Sequence, residues 1–252
     1  MEFQNKTVVI TGAGKGIGEA CARLFFEAGA NVALLDKDDD TSGITDERWF
    51  AQKCNVADEQ QVISASEKVY ERFKAVHYLV NNAGIQRYGT VTQTTADVWD
   101  EVMNVNLKSY FLCSKYFIPY IQKGGKGVII NMASVQAFVS QQNVAAYTTA
   151  KTAILGLTRS IAIDYAPNIR CIAVCPGTID TPMVRASFEL SPDPAAVLQE
   201  CIDMHPLGRI GTPQEVAEVV KFMCDDKAGF ITGQAIRVDG GLGITINGSK
   251  KE

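Results

Sequence analysis

The chain has 252 residues, 46% of them apolar, with 24 Lys and Arg against 28 Asp and Glu and a formal net charge of −4. That suits one α/β domain with a large core and would cramp a fully separate second one, so residues 1–252 read as a single domain. The acidic balance gives no case for nucleic acid, no apolar stretch approaches the ~20 residues of a membrane span, and the start lacks a signal-peptide pattern; a cytoplasmic protein without membrane or nucleic-acid partners is expected.

Residues 6–10 form a short β-branched apolar run, a buried strand, which feeds into Thr11-Gly12-Ala13-Gly14-Lys15-Gly16-Ile17-Gly18. Residues 20–28 have helical composition and spacing, and a second apolar run at 32–35 ends in Asp36. The polar segment 37–47, with its Asp38-Asp39-Asp40 cluster, reads as a solvated loop. A third strand at 49–54 ends at Asn55-Val56, and Asp58 can cap a helix running to about Phe73. A fourth strand at 78–80 leads into Asn81-Asn82-Ala83-Gly84. A long helix is expected at 97–120, with Pro119 near its end, then a fifth strand at 128–132 and a helix at 147–165 closed by Pro167. The sixth strand, 169–174, ends at Cys175-Pro176-Gly177; Thr212 can cap a helix with Pro213 in its first turn, and 234–238 is the last strand. Strand–helix alternation predicts a mostly parallel sheet covered on both faces, a three-layer sandwich of Rossmann type with roughly seven strands.

Strand, glycine turn, helix, strand and acid, in that order, are what dinucleotide binding requires. Glycines let backbone amides approach a pyrophosphate, the helix N-terminus offers unpaired N–H groups, and the acid can take both ribose hydroxyls. The spacing is G-x-x-x-G-x-G at Gly12, Gly16 and Gly18, not the common G-x-G-x-x-G. Tyr147 and Lys151 are four apart on a predicted helix and share a face, so the lysine is expected to pull the phenol pKa down toward working pH. Ser134 follows the fifth strand and could add a hydroxyl donor at the same place. Seven scattered cysteines with no C-x-x-C argue against a disulfide framework or a zinc site. The two histidines, His77 and His205, support no metal site.

The Thr11–Gly18 segment, Asn81-Asn82-Ala83-Gly84, Ser134, Tyr147-x-x-x-Lys151 and Pro176-Gly177 together resemble the short-chain dehydrogenase/reductase family, from about Lys6 to Gly243. The resemblance implies an NAD(P)-dependent enzyme acting on CH–OH groups. Tyr147 would be its general acid/base and Lys151 the group that holds the nicotinamide ribose and lowers the tyrosine pKa. Ser134 would hydrogen-bond the substrate oxygen, and Asn106 would complete a proton relay; Asn104 competes for that role, but the following Leu107 and Ser109 favour Asn106. By the same resemblance Gly12, Lys15, Gly16, Ile17 and Gly18 lie against the cofactor, Asn82, Ala83 and Gly84 pass beneath a ribose, and Asn55 and Val56 contact adenine. Family members commonly carry Asp where Asn55 stands. Pro176, Gly177, Ile179 and Thr181 match the segment that holds the carboxamide.

Asp36 would repel a 2′-phosphate, which favours NAD; Lys15 and Lys37 could each neutralise one, which leaves NADP or dual use open. Gln86, Arg87, Gln136, Gln142 and Arg185 are candidate substrate contacts, with residues 182–210 as an insertion covering the substrate. Ser134-Val135-Gln136-Ala137, Asp164-Tyr165-Ala166-Pro167 and Thr178-Ile179-Asp180-Thr181-Pro182 look most like the sugar-oxidising branch, which points to a sugar or sugar acid. A 3-oxoacyl thioester reductase and a catalytically silent dinucleotide sensor are the alternatives. Relatives in the family are usually tetramers, so a homotetramer is expected.

Overall fold

The computed structural model describes residues 2–39 and 42–245, so Asp40 of the acidic cluster and the last seven residues, 246–252, lie outside the described residues. Seven strands form one sheet in the order β3-β2-β1-β4-β5-β6-β7. They are β1 (Thr7–Thr11), β2 (Asn31–Asp36), β3 (Trp49–Lys53), β4 (Tyr78–Asn81), β5 (Gly127–Met132), β6 (Ile169–Pro176) and β7 (Ala235–Val238). Every neighbouring pair is parallel, where the sequence predicts a mostly parallel sheet. β1 and β5 are buried along their whole length, which explains why they read as unbroken apolar runs rather than alternating ones.

The helices are α1 (Gly16–Glu27), α2 (Glu59–Phe73), α3 (Ala96–Met103), α4 (Ser109–Lys123), α5 (Ala145–Asp164), α6 (Pro182–Phe188), α7 (Pro194–Met204) and α8 (Pro213–Cys224). One face of the sheet is closed by α1 and α8, through Phe25, Val216 and Val220 packed on Val8, Ile10 and Ile130. The other is closed by α2, α4 and α5, through Val69, Phe117 and Ile161 packed on Val9, Leu79 and Ile129.

Two expectations are corrected. The single helix expected at 97–120 is interrupted by a π turn at Asn104–Lys108, where Ser109 Oγ donates to Val105 O at 2.6 Å, and it resumes as α4 to Lys123 with Pro119 inside it. The helix expected from residue 20 begins at Gly16, inside the glycine loop, so α1 presents its first turn at the carboxyl end of β1. Strand order reverses between β1 and β4, and the crevice outside the carboxyl ends of the strands at that point is where this kind of sheet binds ligands.

Candidate active site

A cleft of about 590 Å3 opens there, lined from one end by Asp36 and Lys37, through the glycine loop and the Asn82-Ala83-Gly84 turn, to Ser134, Tyr147 and Lys151. Gly12 has φ +61°, and a Cβ on it would sit 2.8 Å from Ala83 Cα, so only glycine fits. Asn82 ties the two segments together: its Nδ2 donates to Thr11 O and Gly12 O, both at 3.0 Å. The N-terminus of α1 follows at Lys15 with no side-chain cap, so its amides suit an anion in the cleft beside Gly16 and Ile17. Gly18 does not face the cleft; it lies beneath the loop, where a Cβ would meet Gly12 O and come within 2.6 Å of Asn82 Nδ2. Close packing against the loop is thus a reason for glycine at this position.

At the far end Asp36 Oδ2 accepts from Gly14 N at 2.8 Å and Oδ1 from Asp38 N at 3.1 Å. Asn55 and Val56 line the same end; Asn55 Oδ1 accepts from Ala57 N at 3.1 Å, and Asn55 N donates to Gln61 Oε1 at 2.9 Å. Lys15 reaches Asp38 at 3.8 Å and Lys53 reaches Asp39 at 3.3 Å, so these lysines already face acids.

Tyr147 sits in the first turn of α5 with Lys151 one turn on, as the spacing predicts. Lys151 is only 3% exposed; its Nζ donates to Met132 O at 2.7 Å, and that carbonyl also accepts from Tyr110 Oη at 3.0 Å. The ammonium stands 5.6 Å from the centre of the Tyr147 ring. Burial drives both groups toward their neutral forms: the phenol is pushed up to about 12 despite a hydrogen bond from Ser134 that favours the anion, and the lysine is pulled down to about 8. Burial thus opposes the lowering of the phenol that is expected from Lys151. Ser134 begins a short turn, its Oγ accepting from Gln136 N at 3.1 Å.

Asn106 is fully buried behind the cleft rather than on its wall. Its Oδ1 accepts from Ile85 N at 2.7 Å and its Nδ2 donates to Ile85 O at 2.8 Å, so the side chain clamps the strand exit after Gly84. Asn104 and Val105, half-buried in the π turn, line the cleft instead.

On the other wall Pro176, Gly177, Ile179 and Thr181 face the cleft, and Thr181 caps α6 by accepting from Val184 N at 3.3 Å. A Cβ on Gly16 would lie 3.3 Å from Thr181 Cγ2, which shows how closely the two walls approach. Of the five candidate substrate contacts only Arg87 lines the cleft, and it is held by Glu101 through bonds of 2.9 and 2.7 Å. Gln86, Gln136, Gln142 and Arg185 do not line it. Gln136 is turned toward Thr148 and Gln141, and Arg185 grips Asp180 at 2.6 and 2.8 Å, because each finds a polar partner within its own loop or turn. Glu101, Met183 and Val184 are cleft residues that sequence reasoning missed, while Asn104, weighed there against Asn106, is the one of the two that lines the cleft. Met183 and Val184 directly follow the Thr181-Pro182 helix start and could have been found from it; Glu101 carries no local signal. Among the described residues no cluster of His, Cys, Asp or Glu could hold a metal ion, and no helix is long and apolar enough to cross a membrane.

The family model described as Enoyl-(Acyl carrier protein) reductase matches residues 12–243. The ligand-free aldohexose dehydrogenase of Thermoplasma acidophilum superposes with a TM-score of 0.94 at 40% identity, over 99% of this chain and 98% of that one. The chain belongs to the short-chain dehydrogenase/reductase family. Cyclohexanol dehydrogenase from an Acinetobacter species is 37% identical over 250 residues, 95% of each chain. The 3-ketoacyl-(acyl-carrier-protein) reductase of Brucella melitensis, solved with NADH, matches with a TM-score of 0.86 at 31% identity over 96% of this chain and 99% of that one. As a short-chain dehydrogenase/reductase the protein is an oxidoreductase of CH–OH groups that works with a nicotinamide cofactor.

Proposed function

We propose that the protein is an NAD-dependent dehydrogenase of a small, uncharged, polyhydroxylated substrate of the sugar type. The observation that carries this reading is the presence, in one cleft, of Ser134, Tyr147 and Lys151 together with the glycine loop and the Asp36 carboxylate. A cleft of about 590 Å3 is ample for a small-molecule site, and the left-handed Gly12 and the uncapped start of α1 suit a pyrophosphate. Asp36, with Asp38 beside it, suits ribose hydroxyls and disfavours a 2′-phosphate. Bound NAD supplies the hydride acceptor.

Tyr147 takes the carbinol proton in oxidation and returns it in reduction. Ser134 Oγ hydrogen-bonds the reacting oxygen and steadies the charge that develops there. Lys151, which remains mainly protonated below about 8, provides the cation that offsets the burial of the phenolate. Asn106 holds Ile85, and with it the turn on which the ribose would rest. An uncharged substrate is favoured because Arg87, the guanidinium that lines the cleft, already holds Glu101 through two bonds, and Arg185, outside the lining, holds Asp180. Ile85, Met183 and Val184 add apolar walls.

The likeness to the 3-ketoacyl-(acyl-carrier-protein) reductase of Brucella melitensis supports a second reading, a 3-oxoacyl thioester reductase; the net charge of −4 counts against docking an acidic carrier protein. A silent dinucleotide sensor would have no need of the Ser134, Tyr147 and Lys151 set. All seven cysteines are free thiols, in keeping with the cytoplasm, and exposed Phe111 on α4 and Ile163 on α5 are in keeping with a homotetramer.

The test is a panel of aldoses, the corresponding sugar acids and small diols with NAD and NADP, read by NAD(P)H absorbance. Aldoses with NAD should give the highest kcat/KM, and Tyr147→Phe should lower kcat by ~10²–10⁴ while NADH still binds. A Tyr147→Phe variant that turns over at near wild-type rate sinks the mechanism, and a clear preference for sugar acids sinks the uncharged substrate.

A further inference from the structure

Residues 182–210 fold into α6 and α7, and neither helix carries a buried side chain. They are therefore held by their ends rather than by a core. The upstream end is fixed by the Thr181 cap and by Asp180 N donating to Gly211 O at 2.9 Å. The downstream end is His205, immediately after α7, and it is only 3% exposed.

The ring of His205 makes two directed contacts. Its Nε2 accepts from Thr178 N at 3.2 Å, so that nitrogen carries no proton. The ring proton of the neutral imidazole is then on Nδ1, 2.6 Å from Cys201 O in the last turn of α7, to which it donates. The backbone is shaped around the ring. A Cβ on Gly177 would lie 2.9 Å from His205 Nε2, and one on Gly240, whose φ is +56°, would lie 3.3 Å from His205 Cδ2. The chain beyond returns to the same place, with Leu207 N donating to Gly240 O at 3.2 Å.

We propose that His205 is a positioning residue: its imidazole links the end of α7 to the Gly177–Thr178 turn, so that the cover formed by residues 182–210 and the wall of the cleft beside Ser134 and Tyr147 are set by one side chain. His205 does not line the main cleft; it lines a separate cavity of about 240 Å3 behind Thr178 and Ile179, and acts through the Thr178 amide. Without the ring, α7 loses its side-chain attachment to the turn, which leaves only the backbone pairing of Thr178 and Asp180 with Gly211, and the apolar wall of Met183 and Val184 at the start of α6 loses part of its backing. The functional part of this proposal rests on the reading of the cleft as a nicotinamide and substrate site.

The test compares three variants. His205→Gln can still offer an acceptor where Nε2 stands; His205→Asn reaches only as far as Nδ1; His205→Ala offers neither. The readouts are the NADH dissociation constant by fluorescence titration, the rate of limited proteolysis within residues 182–210, and kcat and KM separately on whichever substrate the panel identifies. His205→Ala and His205→Asn should weaken NADH binding about tenfold and speed proteolysis of the segment by a similar factor, with His205→Gln within about threefold of wild type. KM should rise more than kcat falls, because Tyr147 and Ser134 stay in place. Wild-type behaviour in all three variants, or rescue by Asn equal to that by Gln, overturns the proposal. If His205→Ala does not fold, the Gln and Asn pair still decides. A wild-type protein that binds no NADH refutes the reading of the cleft instead, and proteolysis then judges His205 by itself.

Discussion

In the proposed function Asp36 is the carboxylate that selects NAD over NADP. Its two oxygens are oriented by the Gly14 and Asp38 amides, so it is fixed before any ligand arrives. A 2′-phosphate placed against it would set like charges together, which costs several kcal/mol at an interface. Asp36→Asn keeps an acceptor for the Gly14 amide and removes the charge. Steady-state kinetics with both cofactors should show the NAD-over-NADP ratio of kcat/KM falling by about tenfold or more, moderated because Asp38 remains. An unchanged ratio would show that selection lies elsewhere. At the same scale, helical spacing located the Tyr147–Lys151 pair but carried no information on its burial. Spacing says which groups meet; the pKa depends on how much water is removed, and burial pushes the phenol up to about 12 and the lysine down to about 8.

The π turn between α3 and α4 illustrates what an element does that its residues do not announce. It inserts Asn106 into the interior, where both ends of the amide bind the Ile85 backbone, and turns Asn104 and Val105 to the cleft. Asn106→Ala would leave the half-buried Ile85 N–H and C=O without their side-chain partner, at up to about 1–3 kcal/mol each. Urea unfolding should therefore show a loss of about 2–4 kcal/mol with the m-value unchanged, and the KM for NAD should rise as the Asn82-Ala83-Gly84 turn loosens. A loss below about 1 kcal/mol would mean the clamp is not needed. The sequence made the element legible as a helix through its apolar spacing. It could not show the π turn, which depends on the Ile85 backbone arriving from β4 to meet Asn106. Nor could the sequence show that Gly18 packs beneath the loop, where a Cβ would meet Gly12 O.

For the whole molecule, the amino end of the sheet carries a titration distinct from the chemistry at the cleft. His77 leads into β4, and its Nδ1 accepts from Thr7 N at 3.0 Å. Burial first, and the charge of Lys6 second, hold its pKa down at about 4 against 6.5 for the free group. Above pH 6.5 the ring is neutral in both folded and unfolded chains and contributes no pH dependence. Between 6.5 and 4 the unfolded chain takes up a proton that the folded one refuses, so stability falls as pH falls, by about 1–3 kcal/mol from this group. His77→Asn keeps an acceptor for the Thr7 amide and does not titrate; urea midpoints compared at pH 7 and pH 4.5 should fall less in that variant than in wild type. Equal slopes would assign the acid sensitivity to other groups. By itself the sequence determined the alternation of strand and helix, the strand ends on which Gly12, Asp36, Asn82, Ser134 and Pro176 gather, and the one-turn spacing of Tyr147 and Lys151. Each of these follows from a local period or from the chain's direction through a parallel sheet. Only the tertiary structure decided that Glu101 holds Arg87, that Asp180 holds Arg185, that Asn106 stands behind the cleft, and that His205 joins α7 to the Thr178 turn. Those outcomes are set by which polar group a folded chain places within hydrogen-bonding distance, and no spacing along the sequence encodes that distance.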